Sequence, residues 1–266
     1  METSKRLRIA VSLGLVFAAF LWPNPTSAQD AWVTNQTWFD PDTHGWPFEN
    51  DARKVCAAPT CQIENRVIRN AVTFRWALCG GMSLSALRRF REGRSVEDFS
   101  PTVKEELVRA QLETVAGTWA KFIEWQAKPD LPHPPLGPHT IGYSTKGEWR
   151  KVREAIDRGA PIILGLIREG PTSDPTRAGN NHQVLAMGYR YNESTQDVEV
   201  LVYDPNHPHM LPRITMNLGL PDNRINASQS TGEKVRGFFV IEDGSGPPSW
   251  PFPPAWLVPV MAPLHQ

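Results

Sequence analysis

The chain predicts an α+β protein in which a helical lobe packs against an antiparallel β-sheet lobe. Three observations carry that expectation. Between Cys79 and Lys128 apolar residues recur at helical spacing. After residue 160 the pattern changes to short apolar or alternating runs separated by turn residues. A proline-rich stretch, 129–142, lies between the two halves and cannot be regular helix.

Residues 29–60 carry Trp32, Trp38, Trp46, Phe39 and Phe48 among turn residues such as Asp40-Pro41-Asp42. They read as an irregular segment held on the body by its aromatics. Val72, Phe74 and Trp76 alternate, as in a short extended approach to Cys79. Met82, Ala86, Leu87 and Phe90 then share one face of a helix that Gly93 stops. Ser100-Pro101 has the form of an N-cap followed by proline at the first helical position, opening a long helix to about Lys128. A short helix is expected from Glu148 to Arg158, with Val152 and Ile156 inward. Strands follow at 161–167, 183–191, 198–203, 213–218 and 235–241, with a polar loop at 169–181 and a turn at 192–196. The domain reading is therefore a helical lobe of about 62–128, a sheet lobe of about 147–242 and a Pro/Trp-rich tail, 243–266.

The chain has 266 residues and balanced charge, with 28 Lys and Arg against 28 Asp and Glu. That length suffices for one sizeable core or two lobes sharing a cleft. The balance gives no reason to expect nucleic acid or an anionic membrane as the main partner. Residues 1–28 read as a secretory signal: Lys5, Arg6 and Arg8 precede an apolar run from Ile9 to Trp22, and Thr26-Ser27-Ala28 offers small residues for cleavage. The run is short for a membrane span, so a secreted or periplasmic protein without stable membrane insertion is expected. In such a compartment an even subset of cysteines pairs. Cys56 and Cys61, with Pro59 between them, make the simplest disulfide and leave Cys79 free. No His/Cys pair follows at finger spacing, and His207-Pro208-His209 sits in a turn, so no metal is expected.

The chemistry centres on Cys79. The unpaired N–H groups and dipole of a helix's first turn stabilise a thiolate, and Gly80-Gly81 would leave the sulfur uncrowded for a substrate backbone. A lone Cys is more often a small buried hydrophobe, so the nucleophile reading needs a base and a group to orient that base. His182 begins one strand and Asp204 follows the next. If the two strands form a hairpin, the start of one lies beside the end of the other, which makes His182 and Asp204 neighbours at one rim of the sheet.

Cys79-Gly80-Gly81 opening a helix, Asn181-His182 opening a strand and Tyr203-Asp204-Pro205 closing the next one resemble the papain-like cysteine peptidase superfamily. The branch most similar is the bacteriocin-leader-processing peptidases and their stand-alone bacterial relatives. The resemblance covers roughly 70–206 and implies a papain-like fold, with the Cys on the helical lobe and the His and Asp on the sheet lobe. It implies Cys79 as nucleophile, His182 as base and ion-pair partner, and Asp204 as the group that holds the imidazole. The Cys79 N–H would supply half of an oxyanion hole. These peptidases place a Gln shortly before the Cys, whereas the nearest upstream Gln here is Gln62. Asn70 is the best local substitute, with Thr73 the alternative.

The expected activity is hydrolysis of a peptide or related amide bond through an acyl-enzyme, with no cofactor and a peptide or protein substrate. Two other readings stay open: an acyl or peptidyl transferase on the same triad, and a catalytically silent papain-like module that binds peptides.

Overall fold

The computed structural model describes residues 32–50, 78–132 and 139–242. The expected signal segment, the Cys56–Cys61 disulfide, the extended approach at 72–76, Asn70, Thr73 and the tail 243–266 all lie outside the described residues.

The fold is α+β. In chain order its elements are β1 (Trp32–Gln36), α1 (Pro41–His44), α2 (Cys79–Arg91), α3 (Pro101–Ala127), α4 (Ile141–Asp157), β2 (Ile162–Ile167), β3 (His182–Asn192), β4 (Asp197–Tyr203), β5 (Arg213–Asn217), β6 (Ser228–Gln229) and β7 (Gly237–Ile241). The strands make one antiparallel sheet in the order β6-β5-β4-β3-β2-β7. β1 also pairs with β3, along Gly188–Asn192, while β2 pairs with the same strand along His182–Ala186. β1 and β2 thus follow one another along one side of β3, and β4 occupies the other side.

The sheet is covered on both faces. Ile163, Ile167, Leu185, Met187, Phe239 and Ile241 pack against α2 and α3. Leu164, Leu166, Val184, Phe238 and Val240 point the other way, onto Trp149, Val152 and Ile156 of α4. Burial on both faces is why β2 and β3 read as continuous apolar runs and not as alternating ones.

Helix ends follow local chemistry. The Ser100 hydroxyl accepts from the Val103 N–H (3.2 Å) with Pro101 in the first turn, and α3 ends where Lys128, preceding Pro129, turns extended. The helix after the proline-rich stretch corrects the expectation of a start at Glu148. α4 begins two turns earlier, where the Thr140 hydroxyl accepts from the Tyr143 N–H (3.1 Å). Gly142 and Gly147 weaken the helical signal there. Gly142 lies so close to the Asn223 carbonyl that no side chain fits.

Two further expectations are corrected. Residues 32–36 form a strand within the segment expected to be irregular, because a polar five-residue strand depends on β3 for its hydrogen bonds and carries little pattern of its own. The 169–181 loop contains a 3₁₀ turn over Pro175–Asn180, capped by Asp174, whose carboxylate accepts from the Thr176 N–H (2.9 Å).

The glycines after Cys79 also do other work than expected. A Cβ on Gly81 would lie 2.1 Å from the Leu107 carbonyl oxygen, and one on Gly80 would lie 2.6 Å from Gln183 Oε1 and Thr114 Oγ1. They let α2 approach α3 and β3, and Gly80 to Leu87 are buried around the whole helix. Gly81→Ala therefore forces two backbones apart and is expected to destabilise the fold by about 2–3 kcal/mol, although alanine is the better helix former by about 1 kcal/mol. Gly80→Ala meets only movable side chains and costs less. Urea unfolding of the two variants measures the difference, and equal stabilities would refute the close approach.

Candidate active site

Cys79 is the first residue of α2, so its N–H is among the first-turn amides that have no partner within the helix. Two side chains serve neighbouring amides: Asn50 Oδ1 accepts from the Leu78 N–H (2.7 Å), and Gln111 Oε1 accepts from the Gly81 N–H (2.8 Å). Asn50 also donates from Nδ2 to Asn206 Oδ1 (2.9 Å), and its N–H donates to the Pro205 carbonyl (2.9 Å). One side chain thus ties the start of the Cys helix to the loop after β4.

The β3–β4 register brings Leu185 opposite Tyr203, which sets His182 and Asp204 at the same end of the hairpin. His182 Nε2 lies 2.7 Å from Asp204 Oδ1. The carboxylate can only accept, so Nε2 carries the proton and the Nδ1 side of the ring is left for the thiol. Asp204 is wholly buried, and its other bonds come from the Asn206 N–H to Oδ1 (2.9 Å) and from Gln229 Nε2 to Oδ2 (2.6 Å). The Cys79 thiol shares the cleft with His182, and the His182 side chain and the Gln183 backbone both act on its ionisation. The three residues singled out in the sequence therefore meet at one end of the sheet.

Charge follows this geometry. Burial pushes the Cys79 thiol up, but the His182 charge, the His182 hydrogen bond and the Gln183 backbone outweigh it, and the thiol ends below its ordinary value. Burial would push His182 down; the Asp204 and Cys79 charges overcome that and raise it to about 9. Burial would raise Asp204 likewise, but the His182 charge and the bonds to the carboxylate bring it down to about 2. A thiolate–imidazolium pair held by a carboxylate is the state these environments favour.

Cys79 and His182 line a cleft of about 180 Å³. Val115, Trp119 and Phe122 of α3 form an apolar wall, and Arg168, Asn180 and Asn181 form a polar one. Sequence reasoning missed Asn50, Gln111, Gln229 and Arg168. Each comes from a distant part of the chain, and none sits in a local motif.

Elsewhere, His207 Nε2 pairs with Glu233 (2.6 Å), and His209 contacts Asp42 (3.2 Å). Both therefore act as loop ties. Among the described residues no group of three His, Cys, Asp or Glu is arranged to hold a metal, and no helix is long and apolar enough to cross a membrane. No protein-family model matches this chain, no curated protein matches it, and no solved structure matches it.

Proposed function

We propose that the protein is a papain-like thiol hydrolase that cleaves a peptide or related amide bond. The observation that carries the reading is the buried Cys79 and His182 lining one cleft, with the His182 ring bonded to the buried Asp204 carboxylate behind it (2.7 Å). The Cys79 thiolate attacks the acyl carbon; a C–S bond forms and the carbonyl oxygen becomes an oxyanion. His182 gives its proton to the leaving amine as the C–N bond breaks. Water then attacks the thioester, His182 takes the water's proton, and the thiolate departs with the acid released. The Cys79 N–H is one oxyanion donor. Gln111 lines the cleft and has spent its carbonyl on Gly81, so its NH₂ is the donor it can offer as a second. With residues 1–28 read as a secretory signal, the enzyme acts outside the cytoplasm.

A peptide p-nitrophenyl ester tests this reading. The expected result is a burst of nitrophenolate with an acyl mass on Cys79, absent in Cys79→Ala. Equal release by the variant would sink the proposal. Adding an amine separates the products: acid alone marks a hydrolase, and amide marks a transferase. A cleft that binds peptides without forming an acyl adduct would mark the silent module.

A further inference from the structure

We infer that Arg168 is the specificity-determining group of the cleft and binds a carboxylate of the substrate beside the bond that Cys79 attacks. The inference rests on the thiol-hydrolase reading and names the substrate class for that site.

Arg168 lines the same cleft as Cys79 and His182, yet its Nε is buried with no hydrogen-bond partner. The contact its guanidinium does make is a long one, NH2 to Gln229 Oε1 at 3.4 Å. No carboxylate among the described residues pairs with it. Arg168 is half-buried, and the well-buried arginines are treated differently. Arg89 is gripped by Glu106 and Glu97 (2.6 and 2.9 Å), and Arg236 by Asp130 (2.8 Å) together with backbone carbonyls. Glu169, the carboxylate next in sequence, is engaged by Arg177 (3.4 Å) and Asn180 (3.0 Å). A partly desolvated guanidinium whose fork faces no anion is matched to a bidentate carboxylate.

The base of the side chain is held still. Asn181 Oδ1 accepts from the Arg168 and Glu169 backbone N–H groups (2.9 and 3.2 Å), and Asn181 Nδ2 donates to Gln126 Oε1 (3.1 Å). Leu166 pairs with His182 in the sheet, so Arg168 leaves the rim directly beside the base. The cleft is also lined by the apolar Val115, Trp119 and Phe122. The substrate that fits carries an acidic group beside the scissile amide and an apolar group for that wall. The acidic group is either a Glu or Asp side chain or a free C-terminus.

Two alkylating reagents read this out on the full chain. Iodoacetamide is neutral and reports the Cys79–His182 pair. Iodoacetate places a carboxylate next to the carbon that the sulfur attacks and reports Arg168 in addition. In Arg168→Gln the ratio of the iodoacetate rate to the iodoacetamide rate is expected to fall about tenfold or more. Arg168→Lys, which keeps charge without the fork, should fall between. An unchanged ratio of the two rates, or an equal loss with both reagents, overturns the inference. An iodoacetamide rate in the unaltered protein no faster than that of an ordinary thiol overturns the hydrolase reading instead, and this inference with it. Protection of Cys79 by peptides then separates the two sources of the carboxylate. A peptide with internal Glu and an amidated end is set against a neutral peptide with a free end. The better protector names the source, its advantage over the neutral amidated peptide is expected to vanish in Arg168→Gln, and no advantage for either overturns the inference.

Discussion

Replacing His182 by alanine abolishes the acid-side reactivity of Cys79. In the native site the thiol lies below its ordinary value because the imidazolium stands beside it, against a burial effect that pushes it up. Without the ring the burial effect remains and the thiol rises above the free value of about 8.5. Near pH 6 an ordinary thiol is only about 0.3% ionised, so the alkylation rate is expected to drop on the order of a hundredfold. The gap narrows as alkali ionises the variant thiol. Rates followed by intact mass between about pH 5 and 10 give both profiles. If the variant kept the native rate near pH 6, the first turn of α2 and the Gln183 backbone would suffice to hold the thiolate, and His182 would lose its assigned part.

Removal of the Asp204 carboxylate should cost the fold as well as the site. Asp204→Ala leaves His182 Nε2–H, the Asn206 N–H and the Gln229 amide without their acceptor in the interior. Breaking a buried pair in this way costs about 3–5 kcal/mol, a large part of a typical domain's stability of about 5–15 kcal/mol. Asp204→Asn separates charge from shape. Its amide oxygen can still accept from the ring and from the Asn206 N–H, and Gln229 can reverse its own amide by giving up the long contact from Arg168 (3.4 Å), at a cost of about 1 kcal/mol.

What Asp204→Asn removes is the carboxylate's share of the pH dependence. His182 is raised from 6.5 to about 9, so its contribution to stability is complete below pH 6.5 and fades as pH rises through about 9. Asp204 is lowered from 3.8 to about 2, so its contribution is complete above pH 3.8 and fades as pH falls toward about 2. The stability gap between native and Asp204→Asn protein should therefore be widest between pH 3.8 and 6.5 and shrink on either side. Denaturant titrations across that range measure it, and a gap that stayed flat would mean that the ring and carboxylate do not share a charge.

The residues that proved legible in the sequence are those joined by short-range geometry. His182 and Asp204 belong to one hairpin, so their meeting required only that two neighbouring strands pair. Cys79 was marked by the glycines and the helical pattern after it. The role assigned to those glycines was wrong, because the backbone of Leu107 that fills the space arrives from another helix. Likewise β1 was hidden, since Thr34, Asn35 and Gln36 extend only because β3 offers them partners. The opening turns of α4 were hidden because Gly142 and Gly147 are poor helix formers, and the cap at Thr140 stands beside a proline-rich loop. Arg168, Gln111 and Gln229 look like ordinary polar residues in sequence. Their partners are 61, 30 and 25 residues away, and only folding brings them to the cleft.

The Asn50 bridge bears on how the site comes into being. Its partners lie 28 residues downstream, at Leu78, and 156 residues downstream, at Asn206. Closing such distant contacts is slow compared with forming a hairpin. During refolding the His182–Asp204 pair can form early, with its own hairpin, while the Cys helix still lacks its tie to that end of the sheet. The sulfur then acquires its partner in a later step, when the amino-terminal segment lies down across both. Thiol reactivity near neutral pH is thus a clock for the docking of residues 32–50, and an Asn50→Ala protein should reach full reactivity later than it reaches full β-sheet signal.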